Sequence, residues 1–256
     1  MSFRYNNIFN IPERNLVQQR LTKAFFLRIP GITAAEKKVL NTVIVRMKII
    51  AQLIPEKSNI PAVVNENISF EQILLIVCTL SDNQLKNVGD KCIQFIQKYI
   101  SHQIVLVLED SSEFKINVTD KRINQNDKSK LTIEKYFTTN TLSKLYKNEL
   151  NDALYKALDF TQLDKTNLEL VYKSYTQVVI QFIAASITGT YQKRSNTRTA
   201  KDMEHLAQIE QLERDIISFV SQIKKESQLN EKVQLNIKIQ GKRKEISKLK
   251  NTLAEL

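Results

Sequence analysis

Four charged side chains stand where they could act together on a phosphodiester. Glu71 precedes an apolar run, Glu109 closes a second one beside Asp110, and Glu113 and Lys115 follow as a Glu-x-Lys pair. Two or three carboxylates and a lysine on adjacent strands can hold metal ions that activate water and steady a leaving oxygen, the chemistry of a restriction-type nuclease. The pattern is short, and turns gather charge for solvation alone. A solvated hairpin tip is therefore the preferred reading, with the nuclease as the alternative.

Other chemistry finds little material. Four glycines leave room for neither a GxxxxGK[ST] loop nor a GxGxxG turn, and neither motif is present. No GxSxG elbow occurs. Cys78 sits inside ILLIVCTL and Cys92 on an apolar helix face, so both read as reduced core residues rather than nucleophiles, disulfide partners or metal ligands. With two histidines, His102 and His205, a Cys/His zinc site has no basis, and no metal or cofactor is expected.

The elements that must position these groups form a mixed pattern. Pro12 opens an expected helix over 12–26, and Pro30 and Gly31 stop it. Thr33 with Glu36 three residues later makes a capping box for a second helix. Residues 47–53 and 68–80 read as strands, 82–100 as an amphipathic helix, and 104–108 with 114–119 as a hairpin turning on EDSSE. A short strand follows at 131–137. Helices return from 142, and the most apolar of them, 167–187, is expected to pack on the sheet.

The last quarter has a different texture. Ile209, Leu212, Ile216, Phe219 and Ile223 recur at spacings of three and four, the seam of a coiled coil. Ile246, Leu249, Leu253 and Leu256 make a second seam. The phase fails after Ile223, where inward positions become Glu226 and Asn230. A turn near 227–230, giving an antiparallel hairpin, is preferred, and one long helix with a broken stripe also fits.

The net charge is +11, and residues 1–50 alone hold nine Lys and Arg against two Glu. A basic surface attracts nucleic acid, anionic membrane or an acidic partner. Lys193, Arg194 and Arg198 charge the stretch before the arm, and Lys238, Lys242, Arg243 and Lys244 its last helix. These seven are the candidate nucleic-acid contacts, against the preferred reading of a solvated or protein-facing surface. No secretory leader or membrane span is evident, which implies a cytoplasmic protein.

Particular stretches resemble a bacterial family catalogued as domain of unknown function 4391. Lys225-Glu226, Gln228-Leu229-Asn230 and Val233-Gln234-Leu235-Asn236 match its closing pattern, and Phe9-Asn10-Ile11-Pro12 its opening Phe-Asn-Leu-Pro. Residues 70–80 and 104–109 resemble its strands, and Lys23 a lysine of its first helix. This chain departs from it in having no Trp, and in Ser101-His102-Gln103 where the family carries Pro-Tyr-His. The family's genes neighbour helicases, methyltransferases and restriction-type enzymes, which implies an accessory subunit of a DNA-processing or anti-phage system.

The resulting expectation is an α+β (mixed α/β) core over 1–190, with helices flanking a small sheet. A basic linker at 191–200 and a coiled-coil-like helical arm over 201–256 follow. The function expected is non-catalytic: docking on a helicase, methyltransferase or nuclease subunit through Ile209, Leu212, Ile216, Phe219, Ile223, Ile246, Leu249 and Leu253, with DNA contact through the basic groups. A self-assembling structural protein is the third reading.

Overall fold

The computed structural model describes residues 5–128 and 130–255. The chain divides into two compact units, Met1–Val179 and Ile180–Leu256.

The first unit is built on a mixed sheet. Among the described residues it has the strand order β1-β2-β5-β6-β7-β8, with β9 paired to β7. The strands are β1 (Leu16–Leu21), β2 (Ile44–Leu53), β5 (Ile73–Leu80), β6 (Gln103–Glu109), β7 (Glu113–Ile123), β8 (Leu131–Thr138) and β9 (Leu142–Ser143). Two short strands, β3 (Val63–Val64) and β4 (Ser69–Phe70), pair only with each other. Helices α1 (Tyr5–Phe9), α2 (Lys23–Leu27), α3 (Ala34–Thr42), α4 (Pro55–Ser58), α5 (Leu85–Tyr99), α6 (Glu149–Leu158) and α7 (Leu168–Thr188) complete it. The unit boundary falls within α7.

β5 and β6 are parallel, joined by α5 as a βαβ crossover, and the other main-sheet pairs are antiparallel. Both strands of that pair are buried on both faces, which is why they read as unbroken apolar runs. One face packs under α3 and α5, through Met47, Ile76, Cys78, Leu106 and Leu108 against Leu40, Cys92, Phe95 and Ile96. The other carries Tyr172 of α7, whose hydroxyl accepts from the Thr119 N–H at 3.0 Å and reaches the Ile104 carbonyl at 3.2 Å. Phe114 of β7 meets Tyr5 of α1 and Tyr155 of α6 on that side.

The Thr33–Glu36 capping box forms as expected, with Glu36 Oε2 accepting from the Thr33 N–H at 2.8 Å. Both cysteines are free and buried, and burial pushes both thiols up.

The expected helix over 12–26 does not form. A 3-10 turn, Glu13–Asn15, leads into edge strand β1, and only Lys23–Leu27 is helical. Pairing with β2 decides the outcome over the helix propensity of Leu, Gln and Arg. Helix also does not resume at 142, where Leu142–Ser143 adds strand β9 to β7 and α6 begins at Glu149.

The second unit is a helical hairpin, α8 (Asn196–Lys225) and α9 (Leu229–Ala254), with the end of α7. The break falls at residues 226–228. Glu226 accepts from the N–H groups of Ser227 (2.8 Å) and Gln228 (2.9 Å), holding the turn without Gly or Pro. Residues 191–200 are an integral part of this unit. Ser195 caps α8, and Thr199 is buried.

Candidate functional site

The structure does not bring Glu71, Glu109, Glu113 and Lys115 together, which corrects the nuclease quartet. Glu71 precedes β5, while Glu109 pairs with Thr79 near the far end of that strand. Six strand residues separate these levels, ~20 Å at ~3.3 Å per residue. Glu113 and Lys115 are divided from Glu109 by the sheet itself. Glu109 lies opposite Phe114 and Lys115 opposite Leu108, so alternation sends Glu109 to the α1 face and Lys115 to the α5 face. On the α5 side Glu113 pairs with Lys86 at 3.0 Å and Lys115 with Asp90 at 3.3 Å.

Glu109 instead anchors a buried polar knot. Its Oε2 accepts from the Tyr5 hydroxyl and pairs with Lys144, both at 2.7 Å, and its Oε1 accepts from the Thr79 hydroxyl at 2.8 Å. Burial, then the neighbouring Glu109 carboxylate, raises the Tyr5 phenol far above its usual range, so Tyr5 stays a donor. This knot ties α1 and the segment after β9 to the carboxyl ends of β5 and β6. Asp110 accepts from the N–H groups of Ser112 and Glu113 and so closes the turn. Both carboxylate oxygens of Glu109 are occupied from within the chain. Tyr5, Thr79 and Lys144 escaped sequence reasoning because nothing local links positions so far apart.

A second buried network lies on the α5 side. Gln97 donates to Asn117 Oδ1 at 2.8 Å and accepts from Thr119 at 3.1 Å. Lys121, 3% exposed, reaches the carbonyls of Gln97 (3.1 Å), Ile100 (3.3 Å) and His102 (2.8 Å), capping the C-terminal end of α5. Burial pushes its ammonium down to about 7. His102 is likewise lowered by burial and by Lys121, opposed by Glu71.

In the second unit the expected docking seam is the hairpin's own interior, a second correction. Ile209, Leu212, Ile246 and Leu253 are buried in one cluster, with Leu206, Ile216 and Leu249 packed against it. Phe219 and Ile223 continue the seam half-buried. Leu256 lies outside the described residues.

The seven basic candidates also divide. Arg194 and Arg198 converge on Asp202, which is fully buried. Arg194 NH1 donates to both carboxylate oxygens (2.7 and 2.9 Å) and Arg198 Nε to one (3.1 Å). Their remaining donors hold the last carbonyls of α9, those of Leu253, Thr252 and Glu255. Lys242 pairs with Asp215 at 2.6 Å and lies over the Phe219 ring. These three are internal fastenings, whereas Lys193, Lys238, Arg243 and Lys244 are exposed. The i, i+4 spacing of Arg198 and Asp202 is the signal that could have located part of the knot, whereas Arg194 precedes the cap Ser195 and has no helical spacing to either.

What the hairpin leaves outside is a different apolar set. Leu229, Val233 and Ile237 recur every four residues on α9 and are 74%, 47% and 58% exposed. Val233 and Ile237 stand two residues from the inward positions 235 and 239, about 200° round the helix, so the seam does not absorb them. Ile217 and Val220 on α8 are exposed as well. Residues 217–240 carry four lysines against two glutamates.

Among the described residues no group of three or more His, Cys, Asp and Glu is placed to hold a metal ion, and no helix is long and apolar enough to cross a membrane. Comparison with curated proteins and with solved structures yields no match. The family model described as "Domain of unknown function (DUF4391)" matches residues 9–246. The opening Phe9-Asn10-Ile11-Pro12 and about two thirds of the closing helix fall inside that match, and the chain belongs to the DUF4391 family.

Proposed function

We propose that this chain is a non-catalytic docking subunit, and that the outer face of its hairpin receives another protein. The observation that carries the reading is the Leu229–Val233–Ile237 stripe, left exposed although the inner seam of the same hairpin is filled. Fully burying such side chains is worth about 1.5–3 kcal/mol each, so three can drive an association after its entropic cost is met. The lysines around the stripe select the partner's chemistry. Two copies face to face would oppose like charges, whereas an apolar surface rimmed by Asp and Glu complements both features.

The gene neighbourhoods that the resemblance implies favour, as the partner proposed, a helicase, methyltransferase or nuclease of a bacterial DNA-processing or anti-phage system. The occupied hydrogen-bonding groups around Glu109, and the sheet between Glu109 and Glu113, support a body that serves as scaffold.

Light scattering of the purified full chain tests the choice between a foreign partner and self-assembly. The expected mass is that of one chain, 29.6 kDa. A stable dimer that L229E/V233E/I237E converts to monomer would overturn the proposal and favour a self-assembling structural protein.

A further inference from the structure

We propose that the β1–β2 edge of the first unit is a binding surface for the phosphate backbone of nucleic acid, independent of the hairpin's role. Arg20 and Lys48 are directly opposed across the two strands, and Arg46 lies two residues along on the same face as Lys48. Opposed residues in an antiparallel pair have Cβ atoms ~5 Å apart, and like charges there destabilise the sheet. None of the three has an ion-pair or side-chain hydrogen-bond partner among the described residues, although other exposed lysines, such as Lys86 and Lys98, do. Arg20 and Arg46 also line, with Lys23 and Thr22, a cleft of about 240 Å³.

Uncompensated cations pressed together on an edge strand are a cost that a polyanion removes. The guanidinium groups of Arg20 and Arg46 suit bidentate contact with phosphate oxygens. Two features favour nucleic acid over an acidic protein: the concentration of charge, and a cleft in which three cations and a hydroxyl stand beside the apolar Leu21, Ile44, Val45 and Met47. Backbone binding is chiefly electrostatic, and Arg20 and Arg46 are the polar side chains of this set without partners among the described residues. Nothing in this set reads base edges, so the binding expected is independent of sequence.

The experiment is fluorescence anisotropy of a labelled 20-base-pair duplex and a 20-nucleotide single strand against the full chain, between 50 and 200 mM salt. The test variant is R20Q/R46Q/K48Q and the control is K238Q/R243Q/K244Q on α9. Each neutralised duplex phosphate contributes a log–log salt slope of about 0.9, so the test variant should lower the slope by about 2.7. Over that salt range wild type should then weaken about 40-fold more than the variant. The control should keep the wild-type slope. Because the three side chains have no partners to lose, the variant should melt no lower than wild type, which separates lost binding from lost fold. An unchanged slope in the test variant, loss of slope in the control alone, or binding of poly-glutamate with none of either nucleic acid would each overturn the proposal.

Discussion

Asp202→Asn should loosen the hairpin at its root. The side chain is fully buried and is the carboxylate against which Arg194 and Arg198 are placed. Those guanidiniums in turn hold the terminal carbonyls of α9, which no residue further along the helix can satisfy. The amide is nearly isosteric, so packing is kept while the charge is lost and an N–H₂ group is turned toward a guanidinium. Removing one member of a buried ion pair costs about 3–5 kcal/mol. Arg198 retains 25% side-chain exposure and can recover some hydration, which places the expected cost near the lower figure, about 3 kcal/mol. With two compact units, a single global unfolding curve would blend separate transitions. Hydrogen exchange read by mass spectrometry on peptides from α8 and α9 avoids that. A loss of about 3 kcal/mol corresponds to about a hundredfold fall in protection near residues 245–255, with peptides of β5 and β6 unchanged. Glu210→Ala, which breaks only the exposed pair with Arg214, should shift exchange by less than about threefold. Equal protection in D202N and wild type would show that the two arginines hold α9 without their counter-charge, refuting the account of the knot.

Other expectations concern the remaining buried groups. Glu109→Gln leaves Lys144 without its counter-charge and should lower hydrogen-exchange protection of β5 and β6 by about 3 kcal/mol, whereas Glu113→Ala, across the sheet and partly open to water, should cost under about 0.5 kcal/mol. Similar losses for both would contradict the division of these carboxylates by the sheet. Lys121 has a folded pKa below its usual 10.5, so between about pH 7 and 10.5 the unfolded chain holds a proton that the folded chain lacks, and stability rises with pH. Measured over pH 7–9, wild type should gain on K121M by up to about 1.4 kcal/mol per pH unit; a constant difference would show that the three carbonyls keep the ammonium charged. Gly241 lies inside α9 with open space where a Cβ would stand, so Gly241→Ala should add about 0.8–1 kcal/mol to hairpin stability by helix propensity, and a loss would reveal a contact on that face.

Much of the framework was legible because single segments dictated it. The alternation and apolar runs of residues 73–80, 104–108 and 114–119 need only the pleat to become β5, β6 and most of β7, and the Thr33–Glu36 box is a local hydrogen-bond pattern. Residues 120–123 read as the start of a polar loop, and only pairing with β8 makes them strand. The break after Ile223 made the hairpin the preferred reading over one long helix, since a lost seam phase requires either a turn or a bare stripe. Where partners lie far apart in sequence, legibility ended. Residues 16–21 hold Gln and Arg, good helix formers, and only β2 alongside makes them a strand. The charges of the Glu-x-Lys pair were visible, but which face each would occupy depends on hairpin register. The apolar residues of α9 were all visible too. Their division into an inward set at 235 and 239 and an outward set at 229, 233 and 237 required knowing which residues face α8.

In the proposed function the outer stripe of α9 holds a partner protein. Quantitative mass spectrometry of complexes isolated from the chain's own cells, with tagged wild type and tagged L229E/V233E/I237E at equal abundance, tests it directly. A partner recovered near one-to-one with wild type and at least tenfold depleted with the variant is the result predicted. Recovery of the same proteins in the same proportions by both, with hydrogen exchange confirming that the variant hairpin is folded, would contradict it.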